Sequence, residues 1–226
     1  MIEQLLPPRA AAVESYGDPP RAEEELAPEE AAAIRHAVEQ RRREYAAVRW
    51  CARRALRRLG AGPAPVLPGE RGAPRWPPGV VGSMTHCPGY RAAAVAPAGA
   101  LRSLGIDAEP LLPLPEGVLA AVALPAELRR LAELRRLAPE LPWDRLLFSM
   151  KESLYKAWFP LTGRFLDFDQ AEIAIDPAGG FRVRLLAPAP ELDAAALRGR
   201  WLTGRGLLVT AVTLPAPGPP VTLSRA

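Results

Sequence analysis

Apolar positions at Tyr45, Val48, Ala52, Ala55, Leu56 and Leu59 recur three and four residues apart, the mark of a helix with one buried stripe. The pattern predicts a single helix from about Glu29 to Leu59, closed by Gly60 as its C-terminal cap. Short apolar runs at about 80–85, 91–96 and 101–108 read as strands, with Pro97-Ala98-Gly99 a turn between the last two. Helical spacing returns at Leu128, Leu131, Leu134 and Leu137, and is interrupted by Pro139 and Pro142. It resumes from about Asp144, a candidate N-cap, to Phe159. Strand-like runs follow at 171–176, 180–186, 199–203 and 206–213, punctuated by Gly179-Gly180 and Gly204. Residues 1–28 read as an irregular arm, 61–79 as a loop and 214–226 as a Pro-rich tail. The expected class is α+β, with two helix-and-sheet halves meeting near residues 110–115 and divided as 1–112 and 113–226.

Composition adds limits. A chain of 226 residues, 49% apolar and 24% charged, can bury a substantial core. No apolar run approaches the ~18–20 residues that cross a bilayer, and the opening residues show no signal-peptide pattern. The expectation is a cytoplasmic protein with no membrane contact. Cys51 and Cys87 sit in unlike contexts and read as reduced, part-buried thiols. The net charge is +4, and 27 of the 29 basic residues are arginine. Lys151 and Lys156 are the only lysines, five residues apart. Lysine offers a mobile ammonium able to transfer a proton, which arginine cannot do.

Four segments carry candidate chemistry. In an extended Ile106-Asp107-Ala108-Glu109, the two acids project to one face, where a cation would relieve their repulsion. A pair of solvated acids at a strand end is the plainer alternative. In Phe148–Trp158, Glu152 and Lys156 share one helix face, either as an exposed ion pair or as a ligand-and-base carboxylate beside a phosphate-facing ammonium. Val81–Tyr90 ends a strand in Gly-, Ser- and Thr-bearing chain with His86 beside it, groups suited to phosphate oxygens. On the arginine-rich helix, Arg42, Arg49 and Arg53 fall near one line and could grip phosphate. That helix could also serve nucleic acid, but no helix-turn-helix, zinc-finger or base-stacking signature accompanies it.

In this order, the segments Arg41-Arg42-Arg43-Glu44-Tyr45 with Arg49, Gly69–Pro77, Gly82–Cys87, Gly105-Ile106-Asp107-Ala108-Glu109 and Lys151–Ala157 resemble the 4′-phosphopantetheinyl transferases. The likeness is to the larger, monomeric, surfactin-synthetase-activating type, which includes activators of siderophore, polyketide and fatty-acid synthases. The resemblance covers roughly residues 40–213. It implies two similar halves related by a pseudo-twofold, with the active site in the cleft between them. The reaction implied is transfer of 4′-phosphopantetheine from coenzyme A to a serine of an apo acyl or peptidyl carrier protein. By resemblance, Asp107, Glu109 and Glu152 hold Mg²⁺, with Mn²⁺ able to substitute. Arg41, Arg49, Arg71, Thr85 and His86 contact coenzyme A, and Lys151 and Lys156 neutralise its phosphates. Glu152 is then the general base, directly or through water, and Lys156 stabilises or protonates the leaving phosphate. Two positions depart from the pattern: Pro68 stands where some relatives carry a basic residue, and Ala108 between the carboxylates cannot ligate.

Overall fold

A computed structural model describes residues 1–62, 64–190, 192 and 197–217. The N-terminal region contributes strand β1 (Ala11–Tyr16) and helices α1 (Pro28–Ala33) and α2 (Glu39–Leu59). A meander of β2 (Val80–Cys87), β3 (Tyr90–Pro97) and β4 (Leu101–Pro110) follows. Next come helices α3 (Val118–Val122), α4 (Pro125–Leu137) and α5 (Trp143–Thr162), then strands β5 (Ala171–Asp176), β6 (Gly180–Leu185), β7 (Arg198–Gly204) and β8 (Leu207–Pro215). The strands form two antiparallel ladders, β1-β3-β2 and β4-β8-β7-β6-β5.

Each ladder supports one long helix. Cys51, Ala52, Ala55 and Leu56 of α2 lie on Val13, Ala93 and Val95. Met150, Leu154, Ala157 and Trp158 of α5 lie on Leu208, Val212 and the inner face of β5 and β6. Gly105 sets how closely α5 approaches β4, since a Cβ there would collide with the Ser153 carbonyl and the Ala157 amide. The ladders meet along β2 and β4 through side chains. Ser83 Oγ accepts the Ile106 amide and Thr85 Oγ1 accepts the Ala108 amide, each at 3.1 Å. Buried β4 amides thus find partners outside a backbone ladder.

The structure departs from the sequence expectations at four places. The helix expected over 29–59 is broken between Ala33 and Glu39. Glu30, fully buried, pairs with Arg53 at 2.8 Å; in one straight helix, 23 residues would separate them by about 35 Å. The chain turns so that this acid can fold back onto α2. The arm at 1–28 contains β1, which ladders along β3 from Ala11↔Val95 to Tyr16↔Tyr90. Its short, alanine-rich run carries little local signal, and the pairing partner lies some 75 residues away. Asp144 is not the N-cap of α5. Pro142 holds that position, and Asp144 sits in the first turn, accepting the Leu114 amide at 3.4 Å. Finally, β4 lies N-terminal to the division drawn at 112, yet it ladders with β8. Residues 218–226 of the expected tail lie outside the described residues.

Candidate active site

Arg145, Ser149, Glu152 and Lys156 form a polar stripe on α5, spaced by four, three and four residues so that one face carries all four. That face lies along β4. Asp107, buried at 5% exposure, receives three hydrogen bonds. Lys156 Nζ donates to Oδ1 at 2.6 Å, Thr85 Oγ1 to Oδ1 at 3.1 Å and Ser149 Oγ to Oδ2 at 2.8 Å. Two residues along the strand, Glu109 Oε2 meets Arg145 Nη1 at 2.5 Å. Glu152 lies on the same stripe and, among the described residues, its carboxylate has no hydrogen-bond or ion-pair partner. Burial pushes its pKa up; the Lys156 ammonium opposes that rise, and Asp107 and Glu109 add to it. Glu109 is likewise raised, by burial first and then by Asp107, against the pull of Arg145.

Across from this stripe, α2 and β2 form the other wall of a cleft of about 300 Å³. Its lining includes Arg41, Arg49, Arg71, Thr85, His86, Glu152 and Lys156. His86 Nε2 stands 3.5 Å from Glu44 Oε2. Burial lowers the imidazole pKa more than Glu44 raises it, and Arg41, Arg91 and Lys156 lower it further. Arg49 is already engaged: Nε donates to the Val66 carbonyl at 2.9 Å and the guanidinium stacks 3.1 Å from the Tyr45 ring centroid. Burial brings its pKa down to about 10, so it remains a cation. Arg71 adopts a left-handed backbone (φ 51°) in the 3-10 turn Glu70–Gly72 and faces Phe165. A larger groove of about 720 Å³ lies on the second sheet beside Arg182, Arg198 and Arg200. Among the described residues Asp176 is the only acid in its lining and no lysine or histidine lines it, whereas the smaller cleft gathers Glu152, Lys156 and His86, groups with the means for chemistry.

Three expected site residues, Asp107, Glu109 and Lys151, are not in the lining of that cleft: the first two are held on β4 by Lys156 and Arg145, and Lys151 is committed elsewhere. Lys151 is 3% exposed, and its ammonium meets Glu127 at 2.8 Å, the Val122 carbonyl at 2.9 Å and the Phe168 carbonyl at 2.7 Å. Burial lowers its pKa, with Glu127 acting against the shift. Three partners satisfy its three donors, so nothing is left to neutralise a phosphate in the cleft. The line Arg42–Arg49–Arg53 does not form a phosphate grip either, because Arg53 is committed to Glu30. Conversely, Arg145, Ser149 and Glu44 carry no role in the sequence expectations, and Ser83, expected among the phosphate-suited groups, accepts the Ile106 amide. The stripe 145–149–152–156 was legible as a helical repeat; the roles of Ser83 and Glu44 depend on strands and helices brought together by folding.

The donor set also bears on a metal. Among the described residues, no three His, Cys, Asp or Glu side chains converge tightly enough to enclose an ion. Asp107 and Glu109 instead face the cations Lys156 and Arg145. The chemistry nevertheless suits Mg²⁺: hard carboxylate oxygens, few in number, with phosphate and water left to complete an octahedron. The upward pressure that Asp107 exerts on Glu109 and Glu152 is the charge crowding a divalent cation would relieve.

Fold and site together define a small α+β enzyme. Residues 29–96 match the 4′-phosphopantetheinyl transferase N-terminal domain, and residues 103–210 match the 4′-phosphopantetheinyl transferase superfamily. The chain is 56% identical to 4′-phosphopantetheinyl transferase Svp of Streptomyces mobaraensis, over 96% of this chain and 90% of that protein. It is 49% identical to 4′-phosphopantetheinyl transferase PptT of Mycobacterium tuberculosis, over 90% of this chain and 92% of that protein. With Enterobactin synthase component D of Salmonella typhi it shares 29% identity, over 80% of this chain and 75% of that protein. The chain belongs to the 4′-phosphopantetheinyl transferase family.

Proposed function

We propose that this enzyme moves 4′-phosphopantetheine from coenzyme A to a serine of an apo acyl or peptidyl carrier protein, releasing adenosine 3′,5′-bisphosphate. The observation that carries the reading is the cleft itself. Glu152, without a partner among the described residues, and Lys156, which holds Asp107, stand on one wall and Arg41 and His86 on the other. In this reading Arg41, Arg49, Arg71, Thr85 and His86 receive coenzyme A. Asp107, Glu109 and Glu152 would hold Mg²⁺, or Mn²⁺ in its place, which when bound neutralises pyrophosphate charge.

The chain's own groups account for the proton and the charge. Glu152, its basicity raised by burial, takes the serine proton as the serine oxygen bonds to the pantetheine-side phosphorus. The P–O bond to the adenosine bisphosphate breaks, and the leaving oxygen takes the electron pair. Lys156, within reach of Asp107 and Thr85, balances that charge or donates a proton to it. Lys151 is left out of this scheme, because its ammonium is committed to Glu127.

The partners in this reading are coenzyme A and carrier domains, such as those of siderophore, polyketide and fatty-acid synthases, with the enzyme acting as a cytoplasmic monomer. Among the described residues no helix is long and apolar enough to cross a membrane. Several of the α2 arginines pair with acids, Arg43 with Glu39, Arg53 with Glu30 and Arg54 with Glu25, which supports a role apart from nucleic acid. The test is incubation with apo-carrier protein, coenzyme A and Mg²⁺, read by intact mass for added phosphopantetheine. Absence of the addition across several carrier types would reject the reading.

A further inference from the structure

Arg145 stands in the first turn of α5 with its side chain 15% exposed. Nη1 meets Glu109 Oε2 at 2.5 Å, Nε meets the Leu112 carbonyl at 2.6 Å and Nη2 meets the Pro113 carbonyl at 2.8 Å. All three nitrogens of the fork are therefore engaged. Two of the contacts staple the chain that leaves β4. The third does something that stapling does not require: it holds one oxygen of Glu109 and leaves the other without a partner among the described residues.

The match between α5 and β4 gives this contact its meaning. Asp107 and Glu109 are two residues apart, about 6.6 Å along a strand. Their partners Ser149 and Arg145 are four residues apart, about 6 Å along a helix. Helix and strand run in register, so both acids meet side chains of the same α5 stripe, Asp107 meeting Ser149 and Lys156 and Glu109 meeting Arg145. Asp107 is fixed by Ser149, Thr85 and Lys156; among the described residues Glu109 has Arg145 alone.

Resting on the transferase reading above, we infer that Arg145 is a positioning residue. It fixes Glu109 through Oε2 so that the remaining carboxylate oxygen is presented, beside Asp107, to a divalent cation. Outer groups that orient ligating carboxylates commonly change metal affinity 10–100-fold when removed. Lysine would keep the charge but lose the planar fork.

Mn²⁺ is the probe, its free concentration read by electron paramagnetic resonance in the presence of coenzyme A and without carrier protein. Arg145→Gln should weaken Mn²⁺ binding about 10–100-fold, and Arg145→Lys should recover part of the loss. Affinity for coenzyme A without metal should hold, and this also reports that the variants are folded. The decisive comparison uses a Glu109→Gln background, in which Arg145→Gln should cause little further loss. The inference falls if Mn²⁺ affinity is unchanged while thermal stability drops, which would make Arg145 a loop staple only. It also falls if the two losses simply add, or if the unaltered enzyme transfers phosphopantetheine while binding no Mn²⁺. Failure of transfer to every carrier would strike the functional reading instead, and the Mn²⁺ comparison would still judge Arg145.

Discussion

The two faces of α5 carry the chain's only lysines and treat them in opposite ways. Lys151 is sealed inside, with one carboxylate and two carbonyls accounting for its ammonium. Lys156 opens to the cleft with a side chain 28% exposed, pairs with Asp107 and stands near Thr85. A buried cation with every donor satisfied holds structure together, because removing either partner strands the other in a low-dielectric interior. A half-exposed cation at the edge of a cleft can exchange its partner for a substrate. The same division runs through α2, where Arg53 is locked to buried Glu30 and Arg41 stays exposed on the cleft wall.

Substitutions that separate rate from stability would break or sharpen this contrast. The largest effect is expected at Glu152→Gln, with transfer falling about 10²–10⁴-fold as the base is lost and the fold retained; intact-mass rates and circular dichroism check it. Lys156→Met should lower turnover about 10²–10³-fold and change unfolding little, since Thr85 and Ser149 still hold Asp107. Lys151→Met reverses the pattern. Unfolding in urea should show a loss of about 3–5 kcal/mol, with turnover per folded molecule near that of the parent. Adding Glu127→Gln should return part of that stability, because the amide no longer leaves a buried charge. Equal rate losses at positions 151 and 156 would erase the distinction.

A subtler effect concerns pH. The folded-state pKa of Glu152 is raised, so its favourable contribution to stability is complete below the unfolded pKa and disappears as pH rises through the folded pKa. Glu152→Gln should therefore flatten the fall in stability on the alkaline side of the carboxylate range. In the parent enzyme the acid limb of the rate profile should lie above the ordinary carboxylate value. Denaturant midpoints and rates across pH 4–8 provide the readout. The smallest change is expected at Arg54→Ala, away from both faces of α5. Its pair with Glu25 is part-exposed, and about 0.2–1 kcal/mol would be lost with no change in rate.

Much of the site could be read in the sequence because its geometry is local. Alternation along a strand puts Asp107 and Glu109 on one side, and helical spacing puts Glu152 and Lys156 on one face; both pairs stand that way. The same arithmetic, 100° per residue, turns Lys151 about 140° away from Lys156, so the two lysines could not share a face. The misplaced assignments all involved distant partners. Helical phase alone offers Arg53 to phosphate, but its partner Glu30 reaches it only through the turn after α1; resemblance gives Lys151 a phosphate to neutralise, but folding brings Glu127 to it instead.

By itself the sequence determined which residues lie side by side: the 145–149–152–156 stripe, the β4 carboxylates, the strands of the meander and the ordered segments of the family. These follow from backbone periods that hold wherever the chain is placed. Tertiary structure alone decided which face of α5 meets β4, that β1 completes the first ladder, that the expected long helix turns back at residue 34, and which lysine is sealed. Those outcomes depend on desolvation and partner choice between residues tens of positions apart. A cation's role here follows from whether the fold brings a carboxylate to it in the interior or leaves it at the cleft.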